Sequence, residues 1–280
     1  MFPPPQVWNS MMEELGIRNG DEVVIYDRSG VFSGCRVAFM FAVAGSQSGV
    51  GLLHTYSKYI EEGYELDKAP VESVRTGVKG DEVGGVGIRV DEEVWERNYR
   101  NWIIEYDEVL KFVKNGNVGR EVLIFDARPN KRFTAEVNEP RPGIKSGHIP
   151  GSLSLPFSSV ITDQGLFKTP EEIREVLKQD LGIGCSGKEL VEKYKGGIIA
   201  SCGSGVTACV IKFAIESALG VPVRVYDGSW SEYGHRTDEE FVETGPGIGK
   251  LSGLDSASGS DVKIDVDELL IKQREYLDSL

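Results

Sequence analysis

One pattern occurs twice along the chain and restricts its possible folds more than any other feature. A short apolar strand, a loop rich in Gly and Ser, and an apolar helix follow one another at residues 23–44 and again at 198–219. In each copy a further strand comes next, and an aromatic residue then stands three positions before a Tyr. Strands that alternate with helices favour a parallel sheet with right-handed crossovers. The sequence therefore predicts an α/β protein with a duplicated domain, each copy a parallel sheet flanked by helices.

The length of 280 residues also fits about two domains. Residues 65–95 mix charged residues, Gly and Val without helical or strand periodicity, which is typical of a linker. The predicted segments are a partial, catalytically inactive first domain at 1–75, a linker at 76–98, a catalytic second domain at 99–246 and an acidic tail at 247–280.

Local patterns predict the individual elements. In the second copy, Thr169 and Glu172 form a capping box that opens a helix ending at Gly182. A helix is also predicted over 266–277 in the tail, either docked or solvated. The other predicted helices cover 36–44, 55–62, 102–114 and 208–219, and the predicted strands cover 21–26, 50–53, 121–126, 197–201 and 221–226.

Charge and hydropathy exclude several classes of protein. The 31 basic and 44 acidic residues give a net charge of −13, which disfavours direct binding to nucleic acid. An anionic substrate must then be attracted by a small, local group of Arg side chains. The longest apolar run, at 37–44, is far shorter than the roughly 20 residues of a membrane span. No secretory signal is visible, so a reducing compartment, cytoplasmic or mitochondrial, is expected.

The four Cys residues lack the spacing of a metal site. None forms a Cys-x-x-Cys pair and the chain has three His, so no zinc centre, and no other cofactor, is predicted. In a reducing compartment the cysteines are expected to be free thiols. Cys35, Cys185 and Cys209 are interpreted as small hydrophobic residues or surface thiols.

Cys202 has a different setting, because it stands where a buried strand ends and an apolar helix begins. Ligands bind at that edge of open parallel sheets. Gly203 and Gly205 allow backbone N–H groups to turn inward as an anion-binding nest, and the helix adds its positive end. Such surroundings stabilise a thiolate, the form that attacks. A phosphatase loop would supply its own Arg for the phosphate dianion, but Ala208 occupies the end of this loop.

Five motifs occur along the chain: Cys202-Gly-Ser-Gly-Val-Thr-Ala208, Tyr226-Asp-Gly-Ser-Trp230, Glu139-Pro-Arg-Pro-Gly-Ile144, Ser146-Gly-His-Ile-Pro-Gly151 and Tyr26-Asp-Arg-Ser-Gly-Val-Phe-Ser33. Together they resemble the two-domain rhodanese family over roughly residues 1–245. The glycine-rich Cys loop is similar to that of 3-mercaptopyruvate sulfurtransferases, whereas thiosulfate-preferring members have basic residues in it. The first half is most similar to fungal members associated with tRNA wobble-uridine thiolation.

This resemblance implies a persulfide relay through Cys202. The thiolate would take sulfur from 3-mercaptopyruvate, or secondarily from thiosulfate, and pass it to cyanide or to a thiol such as thioredoxin or glutathione. Ser204 would be the hydroxyl partner of Cys202, and Arg132 and Arg141 would bind the substrate carboxylate and keto oxygen. The loop residues that would hold the substrate are Gly203, Gly205, Val206 and Thr207.

Nearby polar and aromatic residues receive other interpretations. Arg128 and Lys131 match no family role and are expected to be solvated. His148 is expected to bind backbone in its turn. Trp230 could form a wall of the substrate site or pack in the core.

The resemblance also implies residues that precede the position of Met1 in family members. They include a strand of the first domain and an Asp and a His of the active site. The first domain is therefore expected to be incomplete, with an exposed sheet edge.

Three functions remain open on the sequence. The first is a sulfurtransferase with a small-molecule donor. The second is a carrier that accepts a persulfide from a partner enzyme and passes it to a sulfur-relay protein. The third is an inactive rhodanese-like interaction module.

Overall fold

A computed structural model describes residues 2–18, 20–28, 30–45, 50–53, 56–68, 89–254, 265, 269, 272 and 273. The chain divides into two compact units, residues 1–100 and 101–280. Each unit has its own sheet.

The first unit contains a parallel pair of strands with helices around it. Val23 pairs with Val50 and Ile25 with Leu52. The core of this unit includes Trp8, whose ring meets that of Phe41 edge-on at 4.9 Å. The elements are α1 (Pro5–Leu15), β1 (Val23–Ile25), α2 (Gly34–Val43), β2 (Val50–Leu52), α3 (Tyr56–Glu61) and α4 (Glu92–Trp102).

The second unit is built on a five-stranded parallel sheet. Its strand order is β3-β7-β6-β4-β5. Two 3-10 helices, at Phe157–Val160 and Glu239–Phe241, complete the unit. The elements are β3 (Ile103–Ile104), α5 (Tyr106–Lys114), β4 (Val122–Asp126), α6 (Asn130–Phe133), β5 (Leu153–Ser154), α7 (Pro170–Leu181), α8 (Gly187–Lys193), β6 (Gly197–Ser201), α9 (Ala208–Leu219), β7 (Val223–Tyr226) and α10 (Ser229–Arg236).

The centre of this sheet brings three chain segments to one edge. Every residue of β4, β6 and β7 is buried, as expected of parallel strands covered by helices on both faces. Asp126 pairs with Ser201, and Ala200 pairs with Val225. The carboxyl ends of β4, β6 and β7 therefore meet, and the loops that follow them share one site.

Several predicted helices are confirmed. Their ends were predictable because capping residues close to them in sequence determine where each helix begins or ends. Helix α9 begins at Ala208 and ends at Leu219, with Gly220 in the left-handed region at φ 65°. Helix α7 opens with the reciprocal capping box of Thr169 and Glu172 and closes at Gly182, φ 70°. The glycines provide backbone conformations that other residues adopt at a cost.

The predicted helix over 102–114 is wrong at its start. Ile103 and Ile104 form strand β3 and pair with Val225 and Tyr226. A new helix, α5, begins after Glu105, which forms a capping box with Glu108. Two adjacent β-branched residues favour the strand. Strand β7 pairs with β6 on one side only, and its other edge provides the partner that the local pattern did not reveal.

The predicted linker also differs from the structure. Its residues 76–88 lie outside the described part of the chain, but residues 92–98 belong to helix α4. Asp91 caps that helix, since its carboxylate accepts hydrogen bonds from the N–H groups of Glu93 and Val94. Trp95 on this helix packs on the core of the first unit.

Most of the tail helix predicted over 266–277 lies outside the described residues. Of its members, Leu269 is helical and Gln273 is buried beside Gly197 at the start of β6. In the described ranges, every helix falls short of the length and apolar character that a membrane crossing needs.

Candidate active site

Cys202 follows strand β6 directly and begins the loop that leads into α9. The residue is 1% exposed. Its carbonyl oxygen accepts a hydrogen bond from the N–H of Trp230 at 2.9 Å. The Cys202 loop (residues 202–207) is thus tied at its first residue to the segment that follows β7.

Two groups lie close to the Cys202 sulfur. The backbone N–H of Ser204 donates to Sγ at 3.4 Å, and Ser229 Oγ lies 3.9 Å from Sγ. Among the described residues, the hydroxyl group that contacts the sulfur belongs to Ser229 and not to Ser204. The expected hydroxyl partner Ser204 thus reaches the sulfur through its backbone.

Ser229 holds the shape of the Cys202 loop. Its Oγ accepts hydrogen bonds from the N–H groups of Cys202 and Gly205, each at 3.1 Å, and donates to the Tyr226 carbonyl at 2.7 Å. Because this donation uses the hydroxyl proton, Ser229 acts on the loop as an acceptor. Sequence reasoning missed this residue, which lies in the left-handed region at φ 50°, a conformation that is uncommon for a residue other than glycine.

The nest predicted from the glycines is partly used by the protein itself. The Gly205 N–H, expected to bind substrate, is directed to Ser229. The backbone N–H groups of Gly203, Val206 and Thr207 donate to no acceptor among the described residues. These three expected binding residues therefore keep donors for a developing anion.

Arg132 and Arg141 converge on the Cys202 loop, as their predicted roles require. A methyl group built on Gly203 would lie 3.4 Å from Arg141 Nη1 and 3.5 Å from Arg132 Nη2. The side chain of Arg132 is 22% exposed and that of Arg141 is 45% exposed. Two guanidinium groups therefore adjoin the residue next to the thiol.

Comparisons with known proteins identify the family. The family model for the rhodanese-like domain matches residues 105–236. Thiosulfate sulfurtransferase TUM1 of Saccharomyces cerevisiae is 35% identical to this chain, over 86% of the chain and 75% of the yeast protein. This chain belongs to the rhodanese family of sulfurtransferases.

Two further comparisons support the same assignment of the rhodanese family. A probable 3-mercaptopyruvate sulfurtransferase of Schizosaccharomyces pombe is 34% identical, over 88% of this chain and 76% of its own length. The crystal structure of Tum1 from Saccharomyces cerevisiae matches with a TM-score of 0.71 at 31% identity, covering 88% of this chain and 76% of that one. The resemblance inferred from the motifs, and the α/β fold of tandem rhodanese-like domains that it implied, are confirmed.

A buried carboxylate organises the arginines of this rhodanese site. Glu139 Oε1 and Oε2 each lie 2.7 Å from Arg132 Nη2, and Oε1 lies 3.4 Å from Arg141 Nη1. The Glu139 N–H donates to Ser146 Oγ at 3.0 Å, which fixes the backbone of the same turn. The Glu-Pro-Arg motif contains this residue, but no local pattern assigned it a role.

Arg128 is not solvated, contrary to the expectation for it. Its guanidinium forms a bidentate pair with Asp126, with Nη2 2.6 Å from Oδ2, and donates to the Gly147 carbonyl at 2.7 Å. It also lies over the Trp230 ring, 4.3 Å from the centroid. Asp126 is only two residues away, but the Gly147 carbonyl and the Trp230 indole are distant in the chain, and local sequence does not reveal them. Lys131 is exposed, as expected.

Trp230 and His148 are both buried in the rhodanese domain. Trp230 is buried in the main cluster, and its Nε1 donates to the Lys145 carbonyl at 2.8 Å. His148 Nδ1 bonds the Phe133 carbonyl at 2.9 Å, as expected of a residue that binds backbone. Burial lowers the pKa of His148, while the Phe133 carbonyl and Glu243 oppose that shift.

The other three cysteines of the rhodanese lie outside the turn that contacts Ser229. Cys35, Cys185 and Cys209 are all buried and not in disulfides. Cys209 donates to the Gly205 carbonyl at 3.4 Å, and burial raises the pKa of Cys185. They fit the predicted role of small hydrophobic residues.

Proposed function

We propose that this sulfurtransferase takes sulfur from 3-mercaptopyruvate on Cys202 and passes it to a thiol or cyanide. The observation that carries the proposal is the convergence of Arg132 and Arg141 on Gly203, the residue next to the buried thiol. A fork of N–H donors matches a carboxylate in bidentate geometry. A small 2-keto acid fits two such forks better than a neutral donor would.

The first step forms a sulfur–sulfur bond. The Cys202 thiolate attacks the thiol sulfur of 3-mercaptopyruvate, and the carbon–sulfur bond breaks with its electron pair going to carbon. Pyruvate leaves as the enolate, which takes a proton from solvent, and Cys202 carries an S–SH group. Arg132 and Arg141 bind the carboxylate and keto oxygen, so they stabilise the charge that develops on the enolate oxygen.

The second step regenerates the thiolate. An acceptor thiolate attacks the outer sulfur, the sulfur–sulfur bond breaks, and its electron pair returns to Cys202. The N–H groups of Ser204, Gly203, Val206 and Thr207 hold the anionic sulfur between the two steps. Thioredoxin or glutathione is the acceptor class we propose, and a sulfur-relay protein that supplies tRNA wobble-uridine thiolation is a further acceptor.

The donor preference follows from the uncharged loop. Gly203 and Ser204 stand where a dianion such as thiosulfate would be stabilised by a cation. We therefore propose that 3-mercaptopyruvate is preferred. The kcat/KM for each donor, measured on the same preparation, tests this, and a higher value for thiosulfate would refute the preference.

The assignment of the nucleophile is tested by mass spectrometry. After incubation with 3-mercaptopyruvate, the protein should carry one extra sulfur on Cys202. The Cys202→Ser variant should fold, gain no sulfur and release no pyruvate, whereas the matched Cys209→Ser variant should retain both properties. Sulfur found on Cys209 or Cys185 instead would overturn the proposal, and pyruvate release unchanged in Cys202→Ser would do the same.

A further inference from the structure

Glu139 is a buried anion in a site that must bind an anionic donor. Its side chain is 1% exposed and contacts three guanidinium groups, with Arg128 Nη1 the most distant at 3.7 Å. A carboxylate in this position accepts hydrogen bonds from N–H groups that could otherwise donate to a substrate carboxylate. Its presence therefore has to be explained by more than attraction of the substrate.

The cluster around Glu139 has a small net charge. It contains the guanidinium groups of Arg128, Arg132 and Arg141 and the carboxylates of Asp126 and Glu139. Three cations against two anions leave one positive charge. When Cys202 is a thiolate, the charges of these five groups and the sulfur sum to zero before any donor binds.

We propose that Glu139 sets the donor specificity of the site by limiting its positive charge to what a monoanion needs. This inference rests on the proposed function. A 3-mercaptopyruvate carboxylate brings one negative charge beside the thiolate, but thiosulfate brings two. Glu139 and Arg128 are each 1% exposed, and beside such buried groups an additional charge counts for more than in solvent. Glu139 thus acts through the arginines as a specificity-determining residue.

Glu139 still leaves Arg132 able to bind a donor. The carboxylate uses Nη2 of that guanidinium. Nε of Arg132 is buried and has no hydrogen-bond partner among the described residues. A buried donor without an acceptor costs free energy, so a donor oxygen that reached it would gain that hydrogen bond.

The Glu139→Gln substitution tests this proposal, because it removes the charge and retains the shape. The matched control is Glu136→Gln, which removes an exposed carboxylate from the same turn. Glu139→Asp keeps the charge and is the second comparison. For each variant, kcat and KM are measured with 3-mercaptopyruvate and with thiosulfate, which reacts by attack of Cys202 on its outer sulfur with sulfite as the leaving group.

We expect Glu139→Gln to reduce the preference for 3-mercaptopyruvate over thiosulfate at least tenfold, mainly through a lower KM for thiosulfate. Glu136→Gln and Glu139→Asp should leave the ratio within about twofold of the parent. A purely structural role for Glu139 would lower kcat for both donors equally and leave the ratio unchanged. That result would overturn the proposal.

A second variant covers the case in which Glu139→Gln does not fold. A Cβ on Gly203 would meet no atom closer than 3.4 Å, so Gly203→Lys adds a cation beside the same arginines while Glu139 stays. It should shift the ratio toward thiosulfate as well, and an unchanged ratio would contradict the charge argument.

A measurement without any donor separates this inference from the proposed function. The rate at which iodoacetamide alkylates Cys202 at pH 6.5 should rise severalfold in Glu139→Gln, because the added positive charge favours the thiolate. If the parent takes no sulfur from 3-mercaptopyruvate, the proposed function fails, yet this rate still reports on Glu139. An unchanged rate contradicts the inference alone.

Discussion

Ser229 Oγ lies 3.9 Å from Cys202 Sγ, although the two residues are 27 positions apart in the chain. The contact exists because β6 and β7 are neighbours in the sheet, so the turns that follow them lie side by side. The hydroxyl oxygen then accepts from two N–H groups of the Cys202 loop. One side chain after β7 therefore determines the conformation of the loop after β6.

Replacing Ser229 with Ala should weaken both the fold and the activity. The N–H groups of Cys202 and Gly205 would lose the Ser229 hydroxyl as an acceptor, so the free energy of unfolding should fall by about 1–3 kcal/mol. The loop would also be less well fixed, and kcat should fall more than KM rises. Urea unfolding and steady-state kinetics measure both effects, with Ser158→Ala, at an exposed serine, as the control. A variant with parental stability and kcat would contradict this role.

Removing either substrate arginine should reduce kcat/KM for 3-mercaptopyruvate. The expected cost for Arg132→Ala is about 2–4 kcal/mol, by analogy with the loss of one partner from a buried charged contact. Arg141 is more exposed, so its substitution should cost less. Lys131→Ala, at an exposed neighbour of Arg132, should have little effect. If the double variant of Arg132 and Arg141 stays within about twofold of the parent, the two arginines do not bind the donor.

Arg128→Met should destabilise the fold strongly. The substitution leaves Asp126 buried without its bidentate partner, and loss of one member of a buried ion pair costs about 3–5 kcal/mol. The control is Arg100→Met, which breaks an exposed pair with Glu96 and should change stability by at most about 1 kcal/mol. Denaturant unfolding compares the two. Equal effects would mean that burial of the Arg128 pair does not matter.

Acidification should destabilise the protein through His148. Histidine titrates near pH 6.5 in the unfolded chain, and burial lowers the pKa of His148 in the folded protein. Between these two pKa values the unfolded state binds more protons, so the free energy of unfolding falls as the pH decreases below 6.5. For one titrating group, the free energy of unfolding decreases by at most about 1.4 kcal/mol per pH unit.

The His148→Gln variant isolates that contribution. Its unfolding free energy, measured by urea titration from pH 7.5 to 5, should fall less steeply than that of the parent below pH 6.5. Above pH 6.5 the two curves should run parallel. Identical slopes across the whole range would show that His148 does not titrate differently on folding.

The amino-acid sequence by itself determined the elements whose ends depend on residues within about one helical turn. Gly220 ends α9 and the Thr169 capping box begins α7 whatever lies opposite them in the fold. The position of the Cys202 loop belongs to the same class, since its glycines and the following helix are adjacent in sequence, whereas its conformation depends on the distant Ser229. These features were predictable because the responsible interactions are local.

Only the tertiary structure decided which distant residues complete the site. β3 replaced the start of a predicted helix because β7 offered a free edge, and Arg128 became buried because the distant Gly147 carbonyl and Trp230 ring contact its guanidinium. Ser229 and Glu139 reach the site in the same way, from loops at the carboxyl ends of different parallel strands. The physical reason is that a buried charge or N–H group is stable only with a partner, and the strand order selects that partner.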